Sequence, residues 1–168
     1  IVGGLKLFSK SGKNHFGLIN VLTDEISVND IDDSEDGEVT KHFNSVNSTV
    51  FRFRRDILKR SSFGIILLNS DHIDSTHYNR SLGFDANFPL TDLLTISGSI
   101  AGTIGPDYSE EGITYDMSEQ NLAGNIEAAY ESDLWGLKLQ HLNVQNNFNA
   151  ELGFIPRTDI RNTRAVIE

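Results

Sequence analysis

The chain has 168 residues with a hydrophobic share of 38%, enough for one domain but with few core-forming residues to spare. Its 24 acidic residues against 14 Lys and Arg give a formal net charge of -10, which argues against a phosphate backbone as ligand, so no nucleic acid is expected among its partners. With no cysteine there is no disulfide framework and no thiolate chemistry, and no apolar run approaches the roughly 18 to 20 residues of a membrane-spanning helix.

The opening IVGGLKLFSK carries neither an initiator Met nor a signal-peptide pattern and reads as starting inside a strand. The chain is therefore expected to be a fragment or a processed product. Alternation of apolar and polar residues places strands near 1–10, 14–24, 46–57, 61–70, 80–90, 93–105, 120–132 and 134–145. Their connections alternate in length: SGKN, LKRS, TD and SD are short, 71–79 is intermediate, and 25–45 and 106–119 are long. No helix and no internal repeat is expected. A string of antiparallel hairpins with short turns at one end and long loops at the other is the rhythm of an up-and-down transmembrane β-barrel.

Several segments invite a chemical reading. The stretch 25–45 is strongly acidic without packing periodicity and is expected to be a solvated loop. Within it, Asp32, Ser34, Asp36 and Gly37 match the first half of an EF-hand loop, but Phe43 stands where the bidentate Glu belongs. That leaves a plain solvated loop or a loose divalent-cation contact, for instance one bridging lipopolysaccharide phosphates. In DHIDSTHYN, His72 and His77 lie five apart, a poor ligand spacing, and are expected to be surface histidines. No metal site and no cofactor is assigned, and no G-x-S-x-G, H-E-x-x-H or P-loop occurs.

The strand faces carry the argument on fold. In LTISGSIAGTIG, Leu94, Ile96, Gly98, Ile100, Gly102 and Ile104 alternate with hydroxylic or small residues. Strand 80–90 sets Leu82, Phe84, Ala86 and Phe88 against Gly83, Asp85 and Asn87, and strand 46–57 alternates Phe51 and Phe53 with Arg52 and Arg54. Small residues pack a soluble core poorly and cost little against fluid lipid. Phe53, Phe88, Tyr130 and Trp135 fall near the short-turn ends, where an interfacial aromatic girdle sits. These features favour a membrane barrel, with Phe84, Leu94, Ile96, Ile100, Ile126 and Leu137 facing lipid. A soluble secreted sandwich or lipocalin-like barrel has the same alternation, and the nearly all-apolar 61–70 favours it mildly. The polar faces hold Lys6, Arg52, Arg54, Asp85, Glu127 and Lys138. In a barrel these are lumen-facing candidates, either a charged selectivity surface or a paired plug.

The closing stretch NFNAELGFIPRTDIRN, together with residues 1–25 and FRFRRDIL at 51–58, resembles a bacterial domain-of-unknown-function family. In that family a C-terminal outer-membrane β-barrel follows a carbohydrate-binding module of the family-nine type. The resemblance runs over essentially the whole chain. It is most specific at Phe148, Asn149, Glu151, Leu152, Gly153, Phe154, Pro156, Arg157 and Asp159. Ala150 stands where the family usually has proline, and Ile155 is a conservative variant. The resemblance implies a piece of a larger barrel, incomplete at both ends, and supplies no catalytic residues.

The residues themselves mark 147–162 as an ordered outer loop: Gly153 frees the backbone, Pro156 fixes it, and Arg157 and Asp159 can pair. Glu151, Arg157, Asp159 and Arg161 are its candidate binding residues. The expectation is thus an all-β, antiparallel outer-membrane barrel segment spanning 1–168 as one domain. Its partners are outer-membrane lipid and a small solute, plausibly a glycan given the family's attached module. An outer-membrane hydrolase with its site on the long loops, and a soluble secreted binding protein, are the alternatives.

Overall fold

The structure is a computed structural model that describes residues 1–32, 37–73, 76–109, 112–114, 121–153, 155 and 157–168, with only the backbone course considered for 28–32, 37–41, 107–109 and 112–114. Thirteen strands and no helix occur among these residues. Nine of them form one antiparallel sheet in which each neighbour is the next large strand in the chain. They are β1 (Gly3–Ser11), β2 (Asn14–Leu22), β5 (Val46–Ile57), β6 (Ser61–His72), β7 (Tyr78–Pro89), β8 (Leu94–Ile104), β11 (Leu122–Glu131), β12 (Gly136–Val144) and β13 (Ile160–Ile167). The remaining strands pair into two small hairpins, β3 (Ile26–Asp32) with β4 (Gly37–Phe43) and β9 (Asp107–Ser109) with β10 (Gly112–Thr114). β1 and β13 are the two edges of the large sheet, and no pairing between them occurs among the described residues.

Three sequence expectations need correction. The segment 25–45 is a hairpin, running in register from Ile26 opposite Phe43 to Asp32 opposite Gly37, because Ile26, Val28, Val39 and Thr40 supply β-branched residues that its acidic composition masks. The half-EF-hand match runs through 33–36, outside the described residues. The segment 106–119 contributes the short β9–β10 pair and is not loop throughout. The outer loop expected over 147–162 ends at Ile160, where β13 begins and pairs with β12 from Ile160 opposite Val144 to Ile167 opposite Leu137. Its alternation is weak, RNTRAV having no large apolar residue before Val166, so partner pairing and not local pattern makes it a strand.

The meander puts every short connection at one end and every long one at the other. Residues 12–13, 58–60, 90–93 and 132–135 turn at the short end; 23–45, 73–77, 105–121 and 145–159 lie at the long end. Gly12, at φ +57°, opens the two-residue β1–β2 turn, where a positive φ at the first central residue matches the twist of the flanking strands.

Register assigns each side chain to a face. The row Gly17, Arg52, Ile66, Gly83, Ala101, Ala123, Val144 runs across one face, and Leu7, Leu18, Phe51, Leu67, Leu82, Gly102, Leu122 across the other. Burial on these faces is inverted relative to a soluble protein. Val144 and Phe148 are the only buried hydrophobic side chains among the described residues, whereas Ser61, Ser62, Ser70, Asn79, Ser81 and Thr103 are buried. All of these strand residues except Ser61 stand on the first, polar face. Leu5, Leu7, Phe16, Leu67, Leu82, Phe84, Ile100, Ile126 and Leu139, all on the second face, are exposed. The polar face is thus the more covered of the two, in part by the segment after β12 that lies on Asn79 and Thr103.

Candidate functional site

Lys6, Arg52, Arg54, Asp85, Glu127 and Lys138 all come to the polar face. Most are paired there. Arg52 on β5 reaches across β6 to make a two-pronged contact with Asp85 on β7: one prong joins Nη1 to Oδ2, and the other runs from Nη2 to Oδ1 at 2.8 Å. The bridge is possible because the intervening residue is Gly64, where an added Cβ would overlap both the guanidinium and the carboxylate. Lys138 Nζ meets Glu127 Oε2 at 3.0 Å between β12 and β11. Arg54 Nε lies 3.6 Å from Asp56 Oδ1, and Asp56 is also hydrogen-bonded to His15 Nε2 at 3.1 Å. Lys6 instead sits over the Phe8 ring, 5.0 Å from its centroid. The face carries charges of both signs with an excess of cations, Lys10 and Arg164 adding to those above, and it is hydroxyl-rich, with Ser99 Oγ donating to Asn125 Oδ1 at 2.5 Å.

The long end carries the second cluster. The connection after β12 turns in over the polar face, where Phe148 is buried and Asn149 N–H donates to Thr103 Oγ1 at 3.2 Å. Asn79 holds this segment from both sides: its Nδ2 donates to the Asn149 carbonyl at 2.8 Å, and its Oδ1 accepts from Glu151 N–H at 3.4 Å. The buried Asn79 and Thr103 are thus satisfied by a loop that lies on them, as buried polar groups require. This anchoring delivers the Glu151 carboxylate to the β6–β7 connection. Glu151 Oε1 is 2.6 Å from His77 Nε2, and Oε2 is 3.8 Å from His72 Nε2. The two imidazoles stand edge to face with centroids 4.5 Å apart. His72 N–H donates to the His77 carbonyl at 3.1 Å, and Ile73 N–H donates to the Ser45 carbonyl at 2.7 Å, which tightens the connection that carries them.

The four loop residues singled out in the sequence do not converge. Glu151 joins the two histidines, whereas Arg157 and Asp159 are exposed, Asp159 at φ +54°. Arg161 is an exposed β13 residue opposite Asn143, on the apolar face near the long end. Arg157, Asp159 and Arg161 make no ion pair among the described residues. His72 and His77 are partly exposed, 30% and 34%, and in addition share a carboxylate 74 to 79 residues further along the chain. No spacing in the sequence signals that meeting; the contacts of Asn79 and Thr103 with the in-turned segment create it.

Comparison with protein-family models, with curated proteins and with solved structures gives no match.

Proposed function

We propose that the sheet is part of the wall of an outer-membrane β-barrel, its exposed face against hydrocarbon and its polar face lining an aqueous path for a small polar solute. The observation that carries this reading is the inverted burial: a continuous apolar face stays exposed while serines, an asparagine and a threonine are buried opposite it. In water such a face costs about 25 cal/mol for every Å² left uncovered, and soluble monomers rarely expose apolar patches beyond a few hundred Å². Against lipid the same face costs nothing, and the polar groups point away from hydrocarbon toward an interior where water can satisfy them.

Other features agree. Aromatic rings gather on the short-turn side: Phe16 against Phe53 at 5.1 Å, Phe53 against Phe63 at 6.1 Å, and Tyr130 against Trp135 at 4.9 Å. That is the position of an interfacial girdle. The apolar face is furrowed, with a depression of about 420 Å³ bordered by Phe63, Phe84, Phe88, Ile96 and Ile126, a surface suited to flexible acyl chains. Arg52–Asp85, Arg54–Asp56 and Lys138–Glu127 pair on the polar face, and Lys6, Lys10 and Arg164 have no ion pair there among the described residues, so the path suits a polar solute rich in hydroxyl and other acceptor oxygens. A glycan has that chemistry.

The absence of native cysteine allows a clean test. Single cysteines replacing Phe84, Ile100 or Ile126, and others replacing Ser97 or Ser99, are introduced into the protein in outer-membrane vesicles and exposed to a hydrophilic maleimide. The expected result is labelling at Ser97 and Ser99 with protection at the three apolar-face sites, which a lipid-soluble maleimide then labels. Rapid hydrophilic labelling of the apolar-face sites, or a monodisperse protein without detergent, overturns the reading.

A further inference from the structure

We infer that His72, His77 and Glu151 form a binding site for one divalent transition-metal ion of the zinc type. Among the described residues they are the only group of three or more metal-ligating side chains brought together, and their ligand atoms all lie within 4.8 Å of one another. Two imidazole nitrogens and a carboxylate form a borderline-soft donor set that suits Zn²⁺ or Co²⁺ better than Ca²⁺ or Mg²⁺, which take mainly oxygen ligands.

The geometry is near what such an ion needs. In a tetrahedral site with metal–ligand bonds of about 2.0 to 2.2 Å, donor atoms stand roughly 3.4 Å apart. The present separations are 2.6 Å from Oε1 to His77 Nε2 and 3.8 Å from Oε2 to His72 Nε2, and one donor atom from each residue lies within 4.8 Å of the others, so side-chain rotation has to draw the three donors together around the ion. An ion replaces the hydrogen bond between His77 and Glu151 and leaves a fourth position for water. The carboxylate is not on a free loop. Asn79, buried at the end of β7, grips the backbone on both sides of Ala150, and Thr103 holds Asn149. Such outer-layer support is what fixes ligands in natural metal sites.

The consequence follows from position. His72 ends β6 and His77 precedes β7, while Glu151 belongs to the segment that turns in over the polar face. One ion at this rim clips the in-turned segment to the β6–β7 connection.

The test uses the full chain folded in detergent and titrated with Co²⁺, whose visible absorption reports a four-coordinate nitrogen and oxygen site, followed by displacement with Zn²⁺. The expected result is one equivalent bound in the native protein, with affinity lowered at least tenfold in His72→Ala, His77→Ala and Glu151→Gln and unchanged in His141→Ala. Glu151→Gln keeps the size and hydrogen-bonding capacity of the side chain, and circular dichroism verifies that each variant is folded. Equal Co²⁺ binding by the native chain and a folded His72→Ala/His77→Ala variant overturns the inference, as does a native chain that binds neither ion.

Discussion

Asn79 ties the sheet to the segment that follows β12. It is buried, and its amide meets both a carbonyl and an N–H of the in-turned segment. Removing it leaves those backbone groups partnerless against the sheet, at about 1–3 kcal/mol. Asn79→Ala should therefore raise the population of the lifted segment at least about fivefold, since local opening follows that free energy. The measurement is the rate of cleavage after Glu151 by a glutamate-specific protease; an unchanged rate would show that Thr103 and Phe148 hold the segment unaided. Gly64 illustrates the opposite kind of residue, one that acts by having no side chain. The Arg52–Asp85 bridge occupies the space over it, so the charged pair and the glycine are a single arrangement spread over three strands.

Among elements, the short turns and the long connections divide the labour. The short end collects the rings, including Trp135 against Tyr130. Trp135 is the sole tryptophan in the chain, so its fluorescence reports the depth of that end without ambiguity. In bilayers carrying bromine at defined acyl positions, emission should be quenched more by bromine near the headgroups than by bromine near the chain ends, as expected for an interfacial ring. Equal quenching at all depths, or none, would count against a girdle at the β11–β12 turn. The long end shows why element reading is uneven. Strands β7 and β8 alternate visibly because large apolar residues occupy one face. The hairpin β3–β4 is hidden by its acidic composition, and β13 by small and polar residues that become a strand only through pairing with β12. Strand β6 is apolar on both faces in the sequence, yet Ile66 and Leu68 fall on the polar side, half-buried beside Arg52 and Ser81.

For the whole molecule the decisive contrast is between the faces. Ile126 is 57% exposed, so in a water-soluble protein Ile126→Arg would be close to neutral. With that face in a bilayer near mid-depth, the same substitution should cost about 2–4 kcal/mol, while Asn125→Arg, on the opposite face, should cost much less. Urea-induced unfolding from lipid vesicles measures both. Near-zero cost for Ile126→Arg would remove the membrane placement, whatever the fate of the metal site. The edges matter at this scale too: among the described residues β1 and β13 each present an unpaired row of backbone groups, which hydrocarbon does not tolerate. A membrane-inserted sheet must therefore pair both edges, with each other or with further strands.

What the sequence determined by itself was the local periodicity of two, and with it the all-β antiparallel class, most strands, the two-faced character of those that alternate and the alternation of short and long connections. The reason is that a pleated strand directs successive side chains to opposite sides wherever it lies. Only the tertiary structure decided what depends on distant partners. Cross-strand register brought the charges of five strands to one face, and the clamp by Asn79 carried Glu151 to His72 and His77. Those contacts join residues dozens of positions apart, and chain spacing holds no record of which distant backbone groups a side chain will find.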